Sequence, residues 1–170
     1  IQDEEIVGIE EIPKHIKILR CNNNRIKRLP DLPKGLEALV CTNNILVSLP
    51  PLPESLIRLD CDFNKLTKLP KLPKNLIVLF CNNNMFTQLP PLPETLEFFS
   101  CEKNYLKELP KIAKNDKLKE FFVYDNPLIY KDLDKIDHLN YLALKEHIKK
   151  QQSIIERKKK LKKLIFTNCS

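Results

Sequence analysis

The stretch from Leu36 to Pro50 reads Leu-Glu-Ala-Leu-Val-Cys-Thr-Asn-Asn-Ile-Leu-Val-Ser-Leu-Pro, and its pattern recurs every 20 residues. Each copy keeps the same residue types in the same columns: an apolar residue at Leu39, Leu59, Leu79 and Phe99, then a cysteine, an asparagine and a closing Leu-Pro pair. A fixed period in this range indicates a stack of structural repeats, each too small to bury its apolar face alone. The fold therefore follows from this one block.

The period, the asparagine column and the Leu-Pro pairs predict an α/β leucine-rich-repeat solenoid. We expect six parallel strands on the concave side, an extended polyproline-like convex side and a C-terminal helical cap. Residues 1–15 are predicted to form an N-terminal capping half-repeat, residues 16–130 six repeats, and residues 131–170 the helical cap with a basic tail. The sixth repeat begins at Leu118, two residues late, and has Val123 in place of cysteine.

Alternation along a strand divides each repeat into inward and outward positions. Leu39 and Cys41 are predicted to point into the core, and Ala38, Val40 and Thr42 to point outward. The asparagine that follows has an amide able to satisfy backbone groups of the turn. The prolines of the Leu-Pro-x-Leu-Pro segments fix φ and remove backbone donors, so they exclude a helix on the convex side.

Five cysteines share one column: Cys21, Cys41, Cys61, Cys81 and Cys101. Free cysteine behaves as a small buried hydrophobe, so a stacked structural ladder of thiols is the favoured interpretation. Disulfides or a metal site are the alternatives, but thiols about 4.8 Å apart along a sheet form a line and not the tetrahedron that zinc requires. A ladder of thiols predicts an intracellular reducing compartment.

The formal net charge of +7 is concentrated near the C-terminus. Residues 145–163 contain nine Lys or Arg and two Glu, which leaves 20 basic (29 less 9) and 20 acidic (22 less 2) side chains elsewhere. Two interpretations of the densest part stay open. It binds nucleic acid, an anionic membrane or a nuclear-import receptor, or it is a solvated helix end. The cations are Arg157, Lys158, Lys159, Lys160, Lys162 and Lys163.

The pattern Leu-x-x-Leu-x-Cys-x-x-Asn-x-Leu-x-x-Leu-Pro-x-Leu-Pro resembles the short 20-residue leucine-rich repeats of bacterial effectors of the YopM and IpaH/SspH type, over roughly residues 12–128. Cysteine stands where that family usually has Val or another aliphatic residue. The resemblance implies a curved recognition scaffold for host proteins, which acts in the host cytoplasm or nucleus if the chain is an effector. A similar repeat style also fits a giant virus or a protist, and the sequence does not choose between these sources. Some relatives carry a ubiquitin-ligase domain, and nothing in this chain matches one. A recognition part whose catalytic domain is absent is therefore an alternative.

The concave face is the predicted site because solenoids present extended binding surfaces there. Large apolar residues cluster in the outward columns of the C-terminal half: Val78, Phe80, Phe98, Phe122 and Tyr124. A patch of this kind facing water marks a protein interface, and aromatic residues favour hot spots. The alternative is that the C-terminal helix covers these residues, or that they pair with one another across strands.

An acidic spot beside Arg58 completes the predicted site with Asp60 and Asp62. Two carboxylates on an open strand lie close together without the pocket that catalysis requires, and the other marks of an active site are missing. We therefore predict a non-catalytic protein-binding chain with no cofactor, no metal and no small-molecule substrate. Nucleic-acid or membrane binding through the basic tail is the competing hypothesis.

Overall fold

The computed structural model describes residues 6–109 and 117–128, and the strands in these ranges form one parallel sheet. Six strands of three residues each follow one another in the sheet in chain order: β1 (Ile18–Arg20), β2 (Ala38–Val40), β3 (Arg58–Asp60), β4 (Val78–Phe80), β5 (Phe98–Ser100) and β6 (Glu120–Phe122). Each residue pairs with the one 20 positions later, except that β5 pairs with β6 at a shift of 22, as Phe98 with Glu120. The predicted six-stranded solenoid is thereby confirmed.

The core lies behind the sheet and consists of the inward columns. Leu39, Leu59, Leu79 and Phe99 have no exposed surface, and the following cysteines of β2 to β5 are equally buried. Full burial of a leucine side chain contributes about 1.5–3 kcal/mol, so the stacked repeats together supply a continuous apolar core that no single repeat has. In the sixth repeat Phe121 packs on Phe99, with ring centroids 4.9 Å apart.

The return segments that lead back to each strand form no helix within the described residues. Their second proline begins a turn, in which the backbone N–H of Leu36 donates to the carbonyl of Pro33 at 3.0 Å, and that of Leu56 to Pro53 at 3.0 Å. Proline suits this place because its fixed φ matches the turn and its missing N–H is not needed there. The proline spacing therefore sets where each strand begins.

One asparagine in each repeat ties that repeat to the one before it. Asn64 Oδ1 accepts a hydrogen bond from the backbone N–H of Leu46 at 3.0 Å, and Asn64 Nδ2 donates to the carbonyl of Cys41 at 3.0 Å. The same amide donates to the carbonyls of Cys61 and Asp62 in its own repeat. The asparagine ladder comprises Asn24, Asn44, Asn64, Asn84, Asn104 and Asn126.

The residue before each ladder asparagine is left-handed. These residues, with φ between 51° and 59°, are Asn23, Asn43, Phe63, Asn83, Lys103 and Asp125. Asparagine and aspartate tolerate this conformation because their short side chains bond locally, as when Asn43 Nδ2 donates to Asn23 Oδ1 at 3.0 Å. The side chain of Phe63 cannot form such a local hydrogen bond, and an aromatic residue with this φ is a steric outlier.

The five repeat cysteines are buried and unpaired, which fits the structural ladder of thiols. In the repeats that contain β2, β3 and β4, each thiol lies near a backbone carbonyl of the next strand. Cys61 Sγ donates to the carbonyl of Phe80 at 3.5 Å, and Cys81 Sγ donates to the carbonyl of Ser100 at 3.4 Å. Burial raises the pKa of the Cys41, Cys61 and Cys81 thiols far above the ordinary value, because a thiolate there would lose its hydration.

At the N-terminal end Ile6 joins the ladder, since its N–H donates to Asn24 Oδ1 at 3.0 Å and its carbonyl accepts from the N–H of Arg25 at 3.0 Å. The predicted helical cap and basic tail lie outside the described residues, and the domain boundaries stay predictions. Among the described residues, no helix is long and apolar enough to cross a membrane.

We predict that Asn64→Ala lowers the free energy of unfolding by about 1–3 kcal/mol, because it leaves the buried N–H of Leu46 without its acceptor. Urea denaturation followed by circular dichroism measures the change. Thr67→Ala, at an exposed position of the same repeat, is the matched control and should stay within about 0.5 kcal/mol of wild type. Equal midpoints for Asn64→Ala and the control would contradict the ladder's role.

Alkaline pH should destabilise the fold through the thiols. Above the ordinary thiol pKa of about 8.5 the unfolded chain loses thiol protons that the folded chain keeps, so stability present below that pH falls as pH rises. Each fully buried thiol lowers the free energy of unfolding by about 1.4 kcal/mol per pH unit. Denaturation in reductant between about pH 7 and 10 tests this, with Cys61→Ala as the matched variant. For this variant the free energy of unfolding should fall less steeply with pH, by the contribution of one thiol. An unchanged slope would contradict the prediction.

Candidate functional site

The concave face carries the outward side chains of the six strands, in three columns set by the pairing register. Val78 pairs with Phe98, while Phe80 and Phe122 both pair with Ser100. The inward neighbours Leu79 and Phe99 are fully buried and fix the backbone from behind. The sequence-predicted apolar residues of the C-terminal half are therefore brought together: four lie on three adjacent strands, and Tyr124 follows β6 by two residues.

These apolar side chains are half-buried and not fully exposed. Phe122 lies against Tyr124, with ring centroids 5.9 Å apart and planes tilted by 40°. Ser100 is 6% exposed and sits in the same row between Phe80 and Phe122, so a small side chain separates two rings. Part of the predicted patch thus packs within itself, and the remaining surface is a row of ring faces and edges.

Two cations cover ring faces on this surface. The guanidinium of Arg58 lies 5.3 Å from the centroid of the Phe80 ring, and the ammonium of Lys119 lies 5.5 Å from that of Phe98. Each cation also forms a salt bridge, Arg58 to Asp60 at 3.2 Å and Lys119 to Glu97 at 2.7 Å. Cation–π contacts at exposed sites contribute about 0.5–1 kcal/mol. These contacts help to hold the two rings in place.

A row of polar side chains follows the aromatic columns at the carboxyl end of the strands. Asn82 connects the row: its N–H and Nδ2 donate to Asp62 at 2.6 and 3.1 Å, and its Oδ1 accepts from Ser100 Oγ and from the N–H of Glu102, both at 2.6 Å. We call Asp62, Asn82 and Glu102 the acidic row. Asp60 lies outside it, because Arg58 and Thr42 Oγ1 hold its carboxylate.

Several groups in and beside this row titrate abnormally. Burial raises the pKa of the Asp62 carboxyl, the hydrogen bonds from Asn82 counteract this, and the charges of Asp60 and Glu102 raise it further. Burial and the charge of Asp125 raise the pKa of Glu102, while Lys103 lowers it. Burial, then the charge of Glu102, raises the pKa of Tyr124. Burial is thus the main cause of all three shifts, and the neighbouring carboxylates add to it.

The sequence did not point to the exposed apolar residues on the turns beyond this row. Phe63, Met85 and Tyr105 are 53%, 47% and 56% exposed. The available signal is that Phe63 occupies a column otherwise filled by Asn, Asp or Lys. Asn82 was likewise visible only as one member of an outward column, without its bonding role.

The arrangement suits binding. Within residues 6–109 and 117–128, no group of three or more His, Cys, Asp or Glu side chains is placed to hold a metal ion. Asp60 and Asp62 lie on an open sheet and are engaged by Arg58 and Asn82 respectively. The predicted cations from Arg157 to Lys163 lie outside the described residues.

No protein-family model matches this sequence, and comparison with curated proteins gives no significant match. Among solved structures, the chain is similar to YopM, a leucine-rich effector protein from Yersinia pestis, with a TM-score of 0.68 and 33% identity over 73% of this chain and 36% of that one. A Shigella effector leucine-rich-repeat domain gives a TM-score of 0.65 and 27% identity over 80% of this chain and 72% of that one.

YopM from Yersinia enterocolitica WA-314 gives a TM-score of 0.57 and 28% identity, covering 72% of this chain and 36% of that one. The chain thus spans little more than a third of each YopM chain that it matches. The 20-residue period, the in-register parallel sheet and these similarities together show that this chain carries a leucine-rich-repeat domain of the bacterial-effector type.

Proposed function

We propose that this chain is a non-catalytic recognition module that binds a protein partner through the C-terminal half of its concave face. The observation that carries the proposal is the cluster of half-buried apolar side chains on adjacent strands: Val78, Phe80, Phe98, Phe122 and Tyr124. Arg58, Asp60 and Asp62 border it on the N-terminal side. Its centre is apolar and its border is charged, as in protein interfaces.

The two halves of the concave face differ although the inward positions repeat. On β1 and β2 the outward residues include Arg20, Ala38 and Val40, which offer little aromatic surface, whereas β4 to β6 offer three phenylalanines. Cross-strand packing within the sheet does not require this difference, because β1 and β2 pair equally well without it. The asymmetry supports a site in the C-terminal half.

Rigidity favours binding at this place. The rings stand on strands whose inward residues are fully buried, and Arg58 and Lys119 hold two of the rings. A side chain already fixed in the free protein loses little rotamer entropy on association, so more of the contact energy appears as affinity. Aromatic side chains presented in this way are the residues in which binding energy usually concentrates.

The proposal includes a reducing compartment, the cytoplasm or nucleus of a host cell. The unpaired cysteines in five successive repeats support it, because stacked thiols persist where disulfide formation is disfavoured. The similarity to effector repeat domains of Yersinia and Shigella supports a protein partner in that compartment.

We predict that Phe80→Ser/Phe98→Ser/Phe122→Ser loses the partner that the wild-type chain retains. The immobilised full chain is incubated with host-cell lysate, and retained proteins are quantified by mass spectrometry. Each hot-spot aromatic contributes about 2 kcal/mol or more, so retention should fall by at least about tenfold. Val47→Ser/Ile57→Ser, which removes exposed apolar groups outside this cluster, is the control and should retain the same protein.

Thermal melts test whether both variants are folded. If the triple variant melts early, Phe98→Ser alone replaces it. Equal retention by wild type and a folded aromatic variant would contradict the proposal. So would the absence of any protein that wild type retains above an unrelated control protein.

A further inference from the structure

Three large apolar side chains project from the turns at the carboxyl edge of the sheet. We call Phe63, Met85 and Tyr105 the turn edge; each is about half exposed. Phe63 directly follows Asp62 of the acidic row, and Met85 and Tyr105 directly follow ladder asparagines. In successive repeats the N–H of Met85 donates to Leu66 and that of Tyr105 to Phe86, both at 2.8 Å, so both positions are fixed by the stack.

Phe63 has an unfavourable backbone conformation at an exposed position. Its φ is 51°, in the left-handed region, which disfavours side chains other than those of Asn and Asp. The same column has Asn23, Asn43, Asn83 and Asp125, which tolerate this conformation, and Lys103, which shares the strain but is not aromatic. Packing does not explain an aromatic residue here, because its ring is 53% exposed. A strained, exposed aromatic side chain is a feature of binding sites.

The acidic row lies between two apolar surfaces. In the order of each repeat, the row follows the strand columns of Phe80 and Phe98 and precedes the turn edge. Among the described residues, neither Asp62 nor Glu102 forms a salt bridge, whereas Asp60 is paired with Arg58. The row therefore has two carboxylates outside any salt bridge in the described part of the chain, and Lys103 beside Glu102 offsets their charge only in part. Across this surface the order is apolar, acidic, apolar.

We propose that this surface binds an extended protein segment in which a Lys or Arg stands between two apolar residues. The cation lies on the acidic row, one apolar side chain lies against Phe80 and Phe98, and the other lies on the turn edge. The inference rests on the proposed function and extends that site over the edge of the sheet.

The spacing of the columns sets the spacing of the expected ligand. Phe80 and Asn82 are two residues apart, about 6–7 Å along the strand direction. Side chains on one face of an extended segment also alternate every two residues. A segment running along the strands therefore presents an apolar residue two positions from the Lys or Arg on the concave side. The turn edge begins one to three residues beyond the acidic row, so the second apolar residue follows the cation within one to three positions. Charge-assisted hydrogen bonds to Asp62 and Glu102 favour the cation between them.

Selection from a displayed library of random peptides tests the inference, with the reduced full chain as bait. Enriched peptides should share a Lys or Arg with an apolar residue two positions away on one side and a second apolar residue one to three positions away on the other. A synthetic peptide with the enriched sequence is then titrated by fluorescence polarisation against wild type and variants. Glu102→Gln and Asp62→Asn/Glu102→Gln should weaken binding, the latter by about tenfold, and flatten its salt dependence.

Phe63→Asn separates binding from stability. It places at this position the residue that neighbouring repeats use, so the melting temperature should rise while affinity falls several-fold. A purely structural role of Phe63 predicts the opposite sign for stability. Glu54→Gln, which removes the same charge at an exposed position on the return side, is the matched control and should bind as wild type does.

The outcomes are distinct. Peptides that need Phe80 and Phe98 but show no basic residue, or that bind Glu102→Gln and Phe63→Asn at wild-type affinity, overturn this inference and leave the proposed function standing. Peptides that bind equally to wild type and to Phe80→Ser/Phe98→Ser count against both. Failure to enrich any sequence contradicts the inference, because a site for a short extended segment must select one.

Discussion

One buried asparagine side chain per repeat holds the solenoid together. Its oxygen accepts the backbone N–H found 18 residues earlier, and its amide donates to a carbonyl 23 residues earlier, as Asn64 does with Leu46 and Cys41. These backbone groups lie at turns, where no neighbouring strand pairs with them. Without the asparagine side chain they would be buried and would lack a hydrogen-bond partner. These contacts fix the spacing between each strand and the asparagine that follows it, because an inserted residue there would move the amide away from both partners.

The last repeat shows how this constraint tolerates a change of length. Asn126 accepts from Leu106 and donates to Cys101, now 20 and 25 residues earlier, at 3.0 and 2.8 Å. The two extra residues lie before β6, and the contacts themselves are preserved. Stability and recognition thus depend on different columns: the ladder and the inward residues set the stack, and the outward residues vary. A register that aligns the core also aligns Phe80, Ser100 and Phe122 into one surface row.

The 20-residue period predicts those structural features that depend only on which residue type occupies each column of the repeat. The strands, their register, the buried thiols and the two-residue slip at Leu118 follow from sequence for this reason. The partial burial of the aromatic cluster did not follow, because it depends on how far long side chains reach. Lys119, the residue before β6, covers the Phe98 ring, and no spacing rule encodes that contact. The left-handed Phe63 was hidden because a single aromatic substitution in a turn leaves the period unchanged.

Native-state hydrogen exchange measured by NMR tests the asparagine ladder most directly. The backbone amides of Leu46, Leu66 and Phe86 donate to asparagine side chains of the next repeat and lie in the buried core. If the ladder couples the repeats, these amides exchange only through global unfolding, with free energies equal to the stability measured by denaturant. Exchange of these amides at the fast rates of the exposed Thr67 and Thr87 would contradict the account.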